Sequence, residues 1–197
     1  MTVLGAVLAG GLGRRIGGDK ALVALEGRPL LSWPLAALRA AGIEEVAVVA
    51  KRETALPPGL TVWLEPDEPR HPLTGLVHAL RGARGRAVLA CAADLALLDE
   101  ATVRRVLAAA QHGDVAVVPS AGGRLQPLCA LYAPAALEAL QHFDPRMSLT
   151  AAVEALGPRV APFDDETPFF NVNSPEDLLQ ASALLSRRSR SSSAPAE

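Results

Sequence analysis

The chain is poor in aromatic residues, with four Phe, two Trp and one Tyr among 197 residues. A core built from it must therefore rest on Ala, Val and Leu. Cysteine is almost as scarce. Cys91 and Cys129 stand alone in apolar runs, and no C-x-x-C pair exists. That excludes a disulfide framework and a cysteine-based zinc site, and leaves two small buried hydrophobes suited to a reducing cytoplasm. Neither charge is in surplus: 19 Lys and Arg face 21 Asp and Glu, for a net charge of −2. A protein that grips nucleic acid by counterion release needs a basic excess, so that class is excluded. No apolar run reaches the ~18 residues of a membrane span. The opening MTVLGAVLAGG has no positive segment before its apolar stretch, so it reads as a strand rather than a secretory leader.

What is present is a composition for folding. Apolar residues make up 50% and charged residues 20%, which argues against global disorder. The length suits one domain with a sizeable core. Short apolar runs read as buried strands at 3–8, 45–50, 61–64, 87–92, 114–119, 126–132 and 159–162. Helical spacing falls at 30–41, 74–81, 100–112, 134–142 and 148–156. A further helix starts at Ser174-Pro175-Glu176-Asp177, which carries an N-cap residue, a first-position proline and two acids, and is expected to end near Leu185. The alternation predicts an α/β fold with a mostly parallel central sheet covered by helices on both faces. Residues 1–185 are expected to form one domain, regular in its alternation over about 1–119 and looser over about 120–185. The Ser-rich, aperiodic stretch 186–197 reads as a disordered tail.

The most informative stretch is Leu8–Lys20, LAGGLGRRIGGDK. It follows the first strand and holds five glycines with Arg14, Arg15 and Lys20. Glycine lets backbone N–H groups approach phosphates, arginine offers a planar fork, and lysine a mobile point charge. Together they suit a triphosphate. The loop is neither a Walker A motif nor a dinucleotide fingerprint, since Ile16 stands where a third glycine is needed. Asp94 ends the run AVLACAAD, at the carboxyl end of an internal strand, where an acid faces a ligand crevice. It is placed to hold Mg2+, which needs only one or two carboxylates. Position alone leaves a helix-capping role equally open.

Gly10, Gly11, Arg15, Gly17, Asp19 and Lys20 match the LAGG-x-x-x-R-x-x-G-x-DK pattern, and the chain resembles the molybdenum cofactor guanylyltransferases. The resemblance implies a Rossmann-like three-layer sandwich and Mg2+-dependent transfer of GMP from GTP to the phosphate of molybdopterin. The products would be molybdopterin guanine dinucleotide and pyrophosphate. It implies that Leu8, Ala9 and Gly10 lie against guanine and ribose, that Arg15 and Lys20 hold the triphosphate, and that Asp94 is the Mg2+ ligand. Gly11 favours GTP over CTP, because related cytidylyl-transferring enzymes tend to have LAAG there. An acid after the third strand is implicated in nucleotide binding; Glu65 is the first choice and Asp67 the second. Where the family often has an asparagine near guanine, this chain has Lys51. Departures are Ala96, two residues after Asp94, in place of proline, and His71 in place of the glycine of a GPL-x-G motif.

On the acceptor side, Gln126-Pro127-Leu128-Cys129-Ala130-Leu131-Tyr132 resembles the family's [HQ]-P-L-x-A-x-Y segment, and Phe170–Asp177 its F-x-N-x-N signature. The resemblance implies that Gln126, Asn171 and Asn173 meet the pterin or its phosphate. Alternation places both asparagines on one side of an extended segment, although they would equally serve to cap the following helix. Arg124 and Arg146 are unranked candidates. The resemblance also implies transient contacts with other molybdenum cofactor proteins. Two rivals stand beside this reading. One is a related cytidylyl- or sugar-phosphate nucleotidyltransferase; the other is a non-catalytic nucleotide- or pterin-binding protein on the same fold.

Overall fold

A computed structural model describes residues 2–10, 20–142, 144 and 146–192, the last four as backbone only. Ten strands and six α-helices follow in the order β1 (Val3–Leu8), β2 (Ala24–Leu25), β3 (Arg28–Pro29), α1 (Ser32–Ala40), β4 (Val46–Ala50), β5 (Val62–Leu64), α2 (Pro72–Gly82), β6 (Ala87–Ala92), α3 (Glu100–Ala108), β7 (Ala116–Ala121), β8 (Arg124–Leu125), β9 (Cys129–Tyr132), α4 (Ala136–Leu140), α5 (Leu149–Glu154), β10 (Arg159–Phe163) and α6 (Pro175–Ser192).

Eight strands form one sheet in the order β10-β7-β9-β6-β1-β4-β5, with β8 paired to β7; β2 and β3 make a separate hairpin. The half containing β5, β4, β1 and β6 is wholly parallel. In the other half β9 runs antiparallel between β6 and β7, and β10 returns parallel to β7. Both faces are covered, so the inner strands are apolar on both sides rather than alternating with polar residues. Successive residues still divide between two cores. Val7, Val48, Leu89 and Cys91 face α1 and α3 through Leu35, Leu38, Val103 and Val106. Leu4, Ala6, Val49, Val88 and Ala90 face α2, α4 and α5 through Leu76, Leu80, Leu140 and Val153. The expected three-layer sandwich is therefore present, built from small aliphatic side chains.

Cys91 and Cys129 are register partners across β6 and β9, both free and buried. Burial pushes both thiols up, that of Cys129 to about 12. No helix among the described residues is long and apolar enough to cross a membrane.

One expectation is corrected. Helix α6 does not end near Leu185 but continues to Ser192, so part of the stretch expected to be a disordered tail is helical. The reason is tertiary bonding: the Arg188 guanidinium donates to the Leu97 carbonyl at 2.7 Å and pairs with Asp99 at 3.2 Å. Residues 193–197 lie outside the described residues.

Tyr132 is fully buried, and its hydroxyl donates to the Pro127 carbonyl at 2.7 Å. Removing one partner of such a bond costs roughly 1–2 kcal/mol. Tyr132→Phe should therefore lower the melting temperature by about 2–6 °C. Calorimetry of the two proteins checks this, and an unchanged transition would show that the hydroxyl is dispensable.

Candidate active site

The four parallel strands end on one rim, and the residues just beyond them build the site. In sheet order these are Glu65 after β5, Lys51 after β4, Ala9 and Gly10 after β1, and Ala93 and Asp94 after β6. Backbone bonds extend the ladder past the strand ends: Ala9 N–H to Val49 O at 2.8 Å, Ala93 N–H to Leu8 O at 3.1 Å, and Glu65 N–H to Ala50 O at 2.9 Å. These residues, with Leu8 and Lys20, line a cavity of about 270 Å3. Three strand spacings of ~4.8 Å separate its two ends, roughly 14 Å in all.

At the β6 end, Lys20 Nζ donates to Asp94 Oδ2 at 2.5 Å and to Asn173 Oδ1 at 2.6 Å. Lys20 sits in a single 3-10 turn, Lys20–Leu22, where the chain returns from the glycine-rich stretch. Asp94 does not cap a helix. The α3 cap is Asp99, whose Oδ1 accepts from Thr102 N–H at 2.8 Å. Asp94 Oδ1 is buried and, among the described residues, has no hydrogen-bond partner. Asn173 is free for Lys20 because its neighbours start α6: Asp177 Oδ2 accepts from the Asn173 and Ser174 N–H groups, and Ser174 Oγ accepts from Asp177 N–H.

At the β5 end, Lys51 and Glu65 are buried together, with Nζ 3.6 Å from Oε1 and side-chain exposures of 3% and 4%. Lys51 Nζ also donates to the Pro66 carbonyl at 2.6 Å. Burial pushes the Glu65 carboxyl up, and the Lys51 ammonium pulls it part of the way back. Glycine leaves room beside it: a Cβ at Gly10 would stand 2.0 Å from Glu65 Oε1, and one at Gly75 3.0 Å from Oε2. His71 starts α2, its Nδ1 accepting from Leu73 N–H at 3.1 Å. That gives the residue in the glycine position of the motif a structural task.

The fold thus brings together Leu8, Ala9, Gly10, Lys20, Glu65, Asp94 and Asn173. It does not bring in Gln126, whose amide turns to the Arg124 carbonyl at 3.4 Å, nor the Asn171 amide, which donates to Phe169 O at 3.3 Å. Arg146 pairs with Asp144, and Asp67 is exposed. Gly11, Arg14, Arg15, Gly17 and Asp19 lie outside the described residues. The principal residue the sequence under-read is Lys51. Its signal was a lysine directly after five buried strand residues, in a position that resembles a surface boundary.

Among the described residues no group of three or more His, Cys, Asp or Glu side chains could hold a metal alone. One carboxylate with a buried, unpartnered oxygen is nevertheless a fit for a magnesium-like ion that keeps water and phosphate oxygens as its other ligands.

In an open α/β sheet, ligands bind in the crevice beyond the carboxyl ends of the parallel strands, and the Lys20–Asp94 pair stands there. The MobA-like NTP transferase domain model matches residues 5–160. A molybdenum cofactor guanylyltransferase from Cereibacter sphaeroides is 36% identical over 194 residues, covering 94% of this chain and 98% of that protein. Among solved structures, molybdopterin-guanine dinucleotide biosynthesis protein A from Archaeoglobus fulgidus superposes with a TM-score of 0.73 at 23% identity, covering 93% of this chain and 99% of the other. The 2-C-methyl-D-erythritol 4-phosphate cytidylyltransferase of Thermus thermophilus superposes with a TM-score of 0.69 at 27% identity, covering 93% and 98%. The chain belongs to the MobA-like NTP transferase family, and it is a nucleotidyltransferase.

Gly10→Ala forces the Cβ onto the Glu65 carboxylate, and overpacking of this kind costs about 1–3 kcal/mol. The variant should melt roughly 2–10 °C lower. An unaltered melt would mean that the carboxylate swings aside without penalty.

Proposed function

We propose that the cavity binds GTP with its triphosphate at the Lys20–Asp94 end and its nucleoside toward Lys51 and Glu65, and that the enzyme transfers GMP to the phosphate of molybdopterin. The observation that carries this reading is the meeting of Lys20, Asp94 and Asn173, residues 74 and 153 positions apart. An ammonium, a carboxylate with one spare oxygen and an amide oxygen are suited to a metal-bound triphosphate rather than to an uncharged ligand. The distance along the rim suits a nucleotide laid across the strands.

In this reading a phosphate oxygen of molybdopterin forms a bond to the α-phosphorus of GTP, and the bond to the β-phosphate bridging oxygen breaks to release pyrophosphate. The acceptor is already an anion, so no general base is needed. Lys20 exchanges its contact with Asp94 for the phosphates and offsets charge growing on the leaving group. Leu8, Ala9 and Gly10 present backbone to the nucleoside. Arg15, with Gly11, belongs to the phosphate-binding loop in this reading. Asp94 would hold a divalent metal, here Mg2+, which when bound lowers the negative charge that the acceptor must approach. Asn173, bonded to Lys20, is assigned to the acceptor in this reading, and Gln126 and Asn171 are assigned to the pterin only if their side chains turn from their present partners. The two buried free thiols suit a reducing cytoplasm.

Pyrophosphate release with molybdopterin and Mg2+ should be supported by GTP and far less by CTP or ATP. A preference for CTP would assign the chain to the cytidylyl-transferring branch, which the 27% identity to the Thermus thermophilus enzyme makes the natural second reading. Asp94→Asn should lower kcat by about a hundredfold or more, with folding intact by circular dichroism. Chelation of divalent metal should abolish turnover, and Mg2+ should restore it. Near-normal transfer by the Asp94→Asn enzyme would remove the carboxylate from the mechanism.

A further inference from the structure

Beyond the phosphate-binding end, the cavity contains a charged pair that stability alone does not account for. Among the described residues only Lys51, Glu65 and Thr102 are polar or charged and buried. Two of these three form one ion pair on the wall of the cavity. Replacing a buried pair by apolar side chains is often neutral or stabilising, whereas removing one member leaves an uncompensated charge and is costly. The pair is also incomplete. Lys51 Nζ makes one hydrogen bond, to Pro66 O at 2.6 Å, and faces Glu65 Oε1 at 3.6 Å. Glu65 Oε2 is buried and, among the described residues, has no partner; it lies between Gly10 and Gly75, where a Cβ would crowd the carboxylate.

We infer that Lys51 is a positioning residue: its buried ammonium pairs with Glu65 and holds one carboxylate oxygen toward the cavity as an acceptor for an N–H or O–H of the nucleoside. This rests on the GTP reading for the identity of the ligand, but the coupling of Lys51 to Glu65 does not.

Among the described residues, the surroundings leave Lys51 as the group that matters. From the β4 side, Glu53 opposes ionisation of Glu65. From the loop before α2, Arg70 is engaged by Glu53 and Glu68, and the His71 Nδ1 accepts a helix N–H. The β1 end contributes the uncharged Gly10, and α2 the uncharged Gly75. Lys20 and Asp94 pair with each other at the far end of the rim. Burial drives the Glu65 carboxyl up while Lys51 drives it down. Without Lys51 the carboxyl would therefore take up its proton at a higher pH, and the acceptor would be lost closer to neutrality.

The test compares wild type, Lys51→Met, Glu65→Gln and the double variant. GTP binding is measured by calorimetry between pH 5.5 and 8.5. From pH 8 to pH 6, wild-type affinity should fall by less than about threefold and that of Lys51→Met by about tenfold or more, one unit of displacement being a factor of ten. Glu65→Gln should bind weakly with no such step. A Lys51→Met profile parallel to that of wild type overturns the proposal, because a merely structural lysine would lower affinity equally at every pH.

The second arm uses no nucleotide. A carboxyl whose folded-state pKa is raised contributes stability that is present below its unfolded value and lost as pH rises through the folded value. Lys51→Met should accordingly show a larger melting deficit at pH 8 than at pH 5, and the double variant should lose that difference. An equal deficit at both pH values overturns the proposal. Should Lys51→Met not fold at pH 8, a folded double variant supports it and an unfolded one overturns it. If wild type does not bind GTP at all, the nucleotide reading fails, while this arm still decides the role of Lys51.

Discussion

The parallel pairing of β1 with both β4 and β6 is the constraint on which the rest of the molecule depends. A central strand with parallel neighbours must bury both faces, so β1, β4 and β6 are apolar along their length and cannot carry chemistry themselves. Parallel pairing also sends every strand out on the same rim. Polar residues that the strands cannot accommodate therefore appear together, one step past the last ladder bond. The site is a consequence of strand direction, and the order of its charges follows the order of the strands.

Charge is handled the same way at both ends of that rim. Each ammonium has a carboxylate, and among the described residues each carboxylate keeps one oxygen without a partner: Asp94 Oδ1 at one end, Glu65 Oε2 at the other. An unpaired buried oxygen costs free energy unless something arrives to satisfy it. Two such oxygens in one cavity describe the complement of a ligand with a cation at one end and hydrogen-bond donors at the other. The glycines at positions 10 and 75 keep the second oxygen's site open by having no side chain.

Much of this was legible in the residues. The strand runs, the glycine-rich stretch and Lys20 stand out because apolar runs and phosphate-suited residues have local physical signatures, whereas Asp94 and Asn173 are singled out by the family resemblance. The insertion of β9 antiparallel to β6 does not, since CALY is equally apolar read in either direction. The full length of α6 was hidden because its Ser- and Arg-rich end lacks an apolar stripe, and Arg188 is held by a carbonyl and an acid 91 and 89 positions away. Lys51 was hidden because burial is a tertiary property. A lysine after a strand looks like a surface residue until β5 and the loop after it close over the side chain. Gln126 and Asn171 show the opposite case, polar residues whose motif position is clear but whose amides are spent on nearby carbonyls.

Helix α6 matters less for what it touches in the cavity than for what it braces. The segment from Asp94 to Asp99 crosses from β6 to α3 without regular structure, and Ala96 gives it none of the stiffness a proline would. It is gripped instead at both ends. Val172 N–H donates to the Asp94 carbonyl at 3.1 Å, and Arg188 holds the Leu97 carbonyl and the Asp99 carboxylate. Between these points Ala96 and Leu97 pack with Val172, Ala181, Leu25 and Leu30. The extended Asn171–Ser174 stretch thus does two jobs: its backbone fixes the Asp94 loop, and its Asn173 side chain meets Lys20. Because capping of α6 falls to Ser174 and Asp177, neither job competes with starting the helix. The carboxylate and the lysine are positioned against one another by a segment nearly 80 residues further along the chain from Asp94, which ties the last helix to the geometry of the first loop.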